Sequence, residues 1–272
     1  MPTTFVTSRA NPRVKQLRAA FNGHARLSGG LVAIEGEHLL SEAMRSGLVF
    51  KTIFVSDRRG VPDWVPKNVE LIELTEDVFS SVVDTQSPQG LAALLVPPKW
   101  TLTDAVSPST TPLLLVAAGL QDPGNMGTLI RSAEAFGAAA VLTTVGTVSE
   151  WNQKALRASA GSVFRVPVVQ VAADNLLVLK SRGVRLMAAV APESEPRSGV
   201  VEASIADLGG ACALMVGNEG AGLAAEWLEL ADTRITIPMP GQVESLNAAV
   251  AGSLLLYEAA RQRSASHRTM DV

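Results

Sequence analysis

Three short stretches carry residues whose types and spacing could do chemistry. The first runs Asp122-Pro123-Gly124-Asn125-Met126-Gly127-Thr128-Leu129-Ile130-Arg131. Asp122, Pro123 and Gly124 suit the turn from a strand into a helix, Asn125 suits the helix N-cap, and Gly137 suits its end. A structural role accounts for those residues but not for Arg131, a permanent cation beside apolar Leu129 and Ile130. An arginine so placed holds a carboxylate, or else a phosphate or ribose. The second stretch, Gly217-Asn218-Glu219-Gly220-Ala221-Gly222-Leu223, lets the backbone turn sharply or approach a flat ligand closely. It is neither Gly-x-Gly-x-x-Gly nor the phosphate-loop pattern, and Glu219 would repel a pyrophosphate. The third runs from Ile237 through Pro238, Met239, Pro240 and Gly241 to Glu244, Ser245, Leu246 and Asn247. Its prolines and Gly241 impose a fixed turn, and a helix is expected from near Ser245 with its free N–H groups at that turn. Leu246, Val250, Leu254 and Tyr257 recur every three or four residues, so this stripe is expected to be the buried face of that helix.

The elements that must hold these stretches follow from hydrophobic pattern. From Leu113 onward, apolar runs at Leu113 to Ala117, Ala139 to Thr144, Val166 to Val171, Val184 to Val190, Ala211 to Val216 and Arg234 to Ile237 alternate with helical segments. Continuous apolar strands of this kind belong to a parallel sheet covered on both faces. Residues 1–96 read as a smaller α/β unit with strands near Leu31 to Ile34, Lys51 to Val55, Val69 to Leu74 and Leu91 to Val96. It opens with a basic amphipathic helix, Asn11 to Phe21, whose apolar stripe is Val14, Leu17 and Phe21. Between the two parts, residues 97–112 hold four prolines and a Ser/Thr cluster, the composition of a linker. The resulting division is 1–96, linker 97–112, 113–264, and a polar tail 265–272.

Composition narrows the chemistry. The three histidines, His24, His38 and His267, are far apart, which argues against a metal site. The single cysteine, Cys212, sits in an apolar run and reads as a buried strand residue. No segment reaches the roughly 18 uninterrupted apolar residues of a membrane helix, and the start lacks the apolar core of a signal peptide, so the expected location is the cytoplasm, without a membrane partner. The formal charge of −3 argues against coating nucleic acid through bulk positive charge. Residues 1–30 nevertheless carry Arg9, Arg13, Lys15, Arg18 and Arg26 and no acid. That asymmetry suits either phosphate contact or a solvated helix face.

Taken together, in this order and at these spacings, the three stretches resemble the SpoU (TrmH-like) branch of the SPOUT methyltransferases, which 2′-O-methylate ribose in ribosomal or transfer RNA. The front of the chain resembles that family's RNA-substrate-binding domain at Asn11-Pro12-Arg13-Val14-Lys15, Glu35-Gly36 and Ser87-Pro88-Gln89-Gly90. One departure is Ala248, where the family often has valine. The resemblance implies an α/β fold: a C-terminal parallel-sheet domain tied in a deep trefoil knot, behind a small N-terminal RNA-binding domain. It implies S-adenosylmethionine as cofactor, ribosomal RNA ahead of transfer RNA as partner, and a homodimer. Gly217, Asn218, Ile237, Met239 and Leu246 would bind the cofactor, and Asn125, Arg131, Glu219, Ser245 and Asn247 would form the reacting site. Ser245 and Asn247 would orient Arg131, the ribose or the methionine carboxylate. RNA would meet Arg9, Arg13, Lys15 and Arg18, together with Lys154 and Arg157 after Trp151. Methyl transfer to a hydroxyl needs alignment and removal of one proton, with no metal. Two other readings remain at this stage: a non-catalytic RNA-binding protein on the same fold, and a nucleotide-dependent α/β enzyme that lacks the usual glycine fingerprint.

Overall fold

The computed structural model describes residues 4–24, 29–83, 85, 87–106, 111–192 and 199–270, with side chains to residue 265. Arg26, Asp84, Gln86, linker residues 107–110, the His267 side chain and residues 271–272 lie outside that description. The chain divides into two compact units, Met1–Lys99 with Trp151–Phe164, and Trp100–Glu150 with Arg165–Val272.

The first unit is built on a five-stranded mixed sheet in the order β1-β4-β3-β5-β2. Its strands are β1 (Thr4–Val6), β2 (Val32–Glu35), β3 (Phe50–Ser56), β4 (Glu70–Leu74) and β5 (Leu91–Leu95). The three-residue β1 is too short to show in the sequence pattern; it forms by pairing in parallel with β4, from Thr4 opposite Ile72 to Val6 opposite Leu74. Helix α1 (Pro12–Phe21) starts where the sequence places it, since the Asn11 side chain accepts from the Arg13 N–H at 2.8 Å and Pro12 needs no acceptor at the first position. Val14, Leu17 and Ala20 pack on Phe54, Ile72 and Phe79, and Phe21 lies partly buried at the edge. Helix α3 (Glu76–Ser80) adds Val78 and Phe79 to the same cluster, whereas Leu39, Leu40 and Ala43 of helix α2 (Glu37–Arg45) are buried outside it.

Trp151–Phe164, expected inside the second part, belongs to the first unit. The reason is packing: the Gln153 side chain donates to the Ala33 carbonyl at 2.9 Å, Trp151 stacks on Phe164 at 6.3 Å, and Gly161 leaves no room for a Cβ against Glu42.

The second unit carries seven strands, every pair parallel, in the order β10-β12-β9-β11-β6-β7-β8. They are β6 (Leu113–Ala117), β7 (Ala140–Thr143), β8 (Val168–Gln170), β9 (Arg185–Ala189), β10 (Val200–Glu202), β11 (Cys212–Val216) and β12 (Thr233–Thr236). Part of the expected linker is ordered here. The short helix α4 (Leu102–Ala105) is closed by a Thr101–Asp104 capping box, and Ala105 and Val106 enter the core. The remaining helices are α5 (Pro123–Ala135), α6 (Gln153–Ser159, in the first unit), α7 (Ala173–Ser181), α8 (Ala225–Leu230) and α9 (Ala248–Met270).

Alternate strand residues Leu114, Val116, Leu186 and Met215 meet Leu176 and Leu179 of α7 and Trp227 of α8. On the opposite face α5 and α9 pack together, joined by a 2.7 Å hydrogen bond between Ser132 and Ser253. A Cβ at Gly252 would stand 2.5 Å from Leu129 and 3.3 Å from Val216, so glycine at that position permits the close approach. The buried face of α9 is Ala249, Leu255, Leu256 and Ala259. This corrects the stripe expected from periodicity, because Val250, Leu254 and Tyr257 are 48%, 44% and 53% exposed. Cys212 is fully buried as expected, and burial pushes its thiol up, although the nearby Arg263 guanidinium pulls the other way. The helix continues to Met270 through the region expected as a polar tail.

Candidate active site

The carboxyl ends of β9, β11 and β12 and the start of α9 surround a cavity of about 380 Å³. Gly217, Asn218, Ile237, Met239 and Leu246, all expected to bind a cofactor, line it, with Glu219 and Ser245. Sequence reasoning missed two parts of this wall. The segment Ala189-Val190-Ala191-Pro192 follows β9 and shows only as the end of an apolar run, and Leu228 comes from α8. The carboxyl edge of a parallel sheet is the general place for such a site, and that rule could have pointed to the first of them.

The glycine loop owes its shape to local hydrogen bonds. Asn218 and Gly222 exchange backbone hydrogen bonds of 2.9 Å, and the Asn218 side-chain oxygen accepts from the N–H groups of Gly220 at 2.9 Å and Ala221 at 3.2 Å. Gly222 adopts φ +69°, which favours glycine. A Cβ on Gly217 would lie 2.1 Å from the Gly222 carbonyl carbon, so the loop closes only over glycine. The Asn218 amide also donates to the Gly119 carbonyl at 3.0 Å, tying this loop to the one after β6.

Glu219 reinforces that tie. Its carboxylate accepts from the backbone N–H of Asp122 at 3.2 Å and of Gln121 at 3.4 Å, and from the Asn125 amide at 2.9 Å. Partial burial pushes the Glu219 carboxyl up, but hydrogen bonds from Asn125, its own backbone, Asp122 and Gln121 outweigh it. The net position is below the ordinary glutamate range. Asn125 passes the order on, since its side-chain oxygen accepts from the Asn247 amide at 3.0 Å. Asn247 in turn caps α9, accepting from Ala249 N–H at 2.9 Å and Val250 N–H at 3.2 Å.

Two helix starts therefore differ from expectation. Asp122, not Asn125, is the N-cap of α5, accepting from Gly124 N–H at 2.6 Å and Asn125 N–H at 3.0 Å, with Pro123 at the first helical position. Asn125 is thereby free to bridge Glu219 and Asn247. Helix α9 begins at Ala248 rather than near Ser245, because Asn247 makes the better cap.

Asn125, Glu219 and Asn247, from three distant parts of the chain, thus form one hydrogen-bonded group. Ser245 is exposed on the cavity wall. Arg131 lies exposed two turns into α5 and makes no hydrogen bond or ion pair among the described residues, so neither Ser245 nor Asn247 orients it. Of the cations expected to meet RNA, Arg13 pairs with Glu70 at 2.9 Å, half-buried Arg18 donates to Ser81, and Arg9 donates to the Asp77 carbonyl. Lys15 is exposed on α1, and Lys154 and Arg157 are exposed on α6. Among the described residues, no group of three or more His, Cys, Asp or Glu could hold a metal ion, and no helix is long and apolar enough to cross a membrane.

An all-parallel sheet with a cavity at its carboxyl edge and a polar cluster beside it defines an α/β small-molecule-binding domain. The chain belongs to the SpoU rRNA Methylase family, whose model matches residues 112–257; a second model, MRM3-like substrate binding domain, matches residues 11–93. The chain is 36% identical to the Bacillus subtilis 23S rRNA (guanosine(2553)-2′-O)-methyltransferase RlmP, over 93% of this chain and 97% of that protein. Among solved structures, the AdoMet-bound rRNA methyltransferase from Sinorhizobium meliloti matches with a TM-score of 0.82 and 28% identity, covering 95% and 98% of the two chains. AviRb from Streptomyces viridochromogenes in complex with AdoMet matches with a TM-score of 0.81 and 27% identity, covering 93% and 98%.

Proposed function

We propose that this protein is an S-adenosylmethionine-dependent methyltransferase that modifies a ribose 2′-hydroxyl of ribosomal RNA. The observation that carries the reading is the cavity at the carboxyl edge with the Glu219–Asn125–Asn247 group beside it. The cavity suits the cofactor. Val216, Leu223, Ile235 and Leu255 offer apolar walls, and among the described residues no Lys or Arg lines it. Glu219, the one carboxylate that lines it among the described residues, disfavours a pyrophosphate and tolerates a sulfonium. The backbone N–H groups of Ile237, Met239 and Leu246 make no backbone hydrogen bond among the described residues, which leaves donors for a polar ligand.

Bound S-adenosylmethionine supplies an electrophilic methyl group, and the chain's residues supply alignment and charge. Glu219 stays ionised and fixes the loop that starts α5. Asn125 and Asn247 have both ends of their amides committed, so they hold geometry rather than protons. Arg131 cannot accept a proton at neutral pH, because a guanidinium titrates above about 12. Its unpaired, exposed charge instead holds an RNA phosphate and stabilises charge developing on the ribose oxygen. Lys15 and Arg157 extend the contact with RNA, with Lys154 on the same helix as Arg157, and Arg9, Arg13 and Arg18 add less than Lys15 and Arg157 because their donors are already engaged.

The reading includes a deep trefoil knot, with the segment after β12 passing through a loop of the chain before α9 packs on α5. It also includes a cytoplasmic homodimer. Support for a dimer is the exposed stripe Val250, Leu254 and Tyr257 on α9, with Tyr257 edge-on to Phe136 at 5.8 Å. Calorimetric titration with S-adenosylmethionine should give one site per chain. Mass-spectrometric mapping of ribosomal RNA should then lose one ribose methylation when the gene is removed. Failure to bind the cofactor, or an unchanged methylation map, rejects the reading.

A further inference from the structure

A second cavity, of about 470 Å³, opens at the carboxyl ends of β6, β7 and β8. Asn218, Ala221 and Gly222 line both cavities, and Gly119, in the loop between β6 and α5, lines the second. With unfilled space beside that loop, packing alone does not fix it, and hydrogen bonds must set its place. They arrive from two sides. The glycine loop supplies the Asn218 amide to the Gly119 carbonyl and the Glu219 carboxylate to the N–H groups of Gln121 and Asp122. The loop after β7 supplies the other side. The Thr147 hydroxyl accepts from the Gly119 N–H at 3.1 Å and donates to the Ala117 carbonyl at 2.9 Å. Buried Thr144 adds a second acceptor for the Gly119 N–H at 3.0 Å, and the Val148 N–H donates to the Leu120 carbonyl at 2.8 Å.

Gly119 is thus clamped at both ends of its backbone, at φ +67°, where β6 turns toward α5. Three residues later Asp122 caps α5, a rigid helix that carries Asn125 and Arg131. Thr147 is not among the described residues that line either cavity, so its hydroxyl serves the turn alone. We infer that Thr147 is a positioning residue for the proposed methyl transfer: by joining the Ala117 carbonyl to the Gly119 N–H it sets the start of α5, and with it the place of Asn125 and Arg131. The inference rests on the proposed function and adds to it a residue outside the three stretches of the site. Misplacement of a reacting group by about an ångström costs up to about a hundredfold in rate. Cofactor binding is insulated from Thr147, because the glycine loop holds its own shape through the Asn218–Gly222 pair and the bonds from Gly220 and Ala221 to the Asn218 side chain. The fold is also spared, since Thr144 still accepts from Gly119 and the Ala118 N–H still donates to the Val216 carbonyl.

The test pairs Thr147→Val, which keeps the side-chain shape and removes the hydroxyl, with Thr147→Ser, which keeps the hydroxyl. The substrates are S-adenosylmethionine and ribosomal RNA from cells lacking the gene. Thr147→Val should lower kcat at least about tenfold, with KM for RNA and cofactor affinity by calorimetry each within about twofold of the unaltered protein. Thr147→Ser should restore most of kcat. Amide hydrogen exchange follows the same turn without turnover: in Thr147→Val it should quicken at Gly119, Gln121 and Asp122 and stay unchanged at Gly220 and Ala221. An unchanged kcat, or unchanged exchange at Gly119, overturns the assignment. A parallel loss of cofactor affinity, or a loss that serine does not recover, overturns it too, since either marks general damage to the fold. Absence of turnover in the unaltered protein rejects the methyltransferase reading instead, while exchange at Gly119 still decides whether Thr147 holds the turn.

Discussion

The two units both gather polar residues at the carboxyl edge of their parallel strands, but they use them differently. In the first unit the edge closes on itself. Glu35 accepts from Thr85 and from the Gln89 N–H, Glu37 pairs with Arg59 at 2.6 Å, and the Gly36 position has no room beside Gln89. In the second unit the polar groups tie two loops together and leave cavities on both sides of the second loop. Equal polarity therefore does not mean equal function: a site needs polar order together with unfilled space. The cations divide the same way, Arg13 being satisfied by Glu70 and Arg131 by nothing within the described chain.

Arg131→Ala is the sharpest way to break this contrast. Methyl transfer should fall by at least about a hundredfold, as for loss of a charge-stabilising donor, while S-adenosylmethionine affinity by calorimetry stays within about twofold. Substantial turnover in that variant sinks the assignment. Gly217→Ala forces the 2.1 Å clash with Gly222 and should cost at least about 2 kcal/mol in denaturant unfolding. Cofactor affinity should fall with it, because the loop is the cavity wall.

Asn247→Ala should cost about 1 kcal/mol of stability by removing the cap of α9. Asn247→Asp keeps the cap and loses the amide donated to Asn125; stability should return and activity should not. Recovery of both by Asp would show that the Asn125 contact is incidental. Glu219 gives a pH signature. Its folded value is lowered, so its contribution is fully present above about pH 4.3, the ordinary glutamate value. It is lost as the pH falls through the lower folded value. The acid limb of the stability profile should therefore be flatter in Glu219→Gln. The smallest effect is expected at Arg13→Ala, no more than about 1 kcal/mol of stability, because its ion pair with Glu70 is half exposed. Lys15→Ala and Arg157→Ala should each lower the salt dependence of RNA binding by about one unit. A larger fall for Arg13 than for these two would reverse the comparison.

Much of this was legible in the chain. Strand positions in the second unit follow from uninterrupted apolar runs, and the expected cofactor residues do share one cavity because they sit on loops after neighbouring parallel strands. The start of α1 at Asn11-Pro12 is local chemistry and needs no tertiary contact. Cap identity at α5 and α9 was misread because Asp122, Asn125, Ser245 and Asn247 all suit a helix start. Only the three-dimensional partners Glu219 and Asn125 decide which one is spent on the backbone.

What the sequence determined by itself was therefore the alternating α/β pattern, the parallel sheet of the second unit and the three stretches that meet at the site. Those depend on periodicity, turn chemistry and residue type, which are local. Tertiary structure alone decided that Trp151–Phe164 joins the first unit, that Val250, Leu254 and Tyr257 face outward, and that Glu219, Asn125 and Asn247 form one hydrogen-bonded group. Each of these depends on which surfaces meet across distant parts of the chain. Apolar periodicity identifies an apolar face, but not whether the fold of the chain buries it.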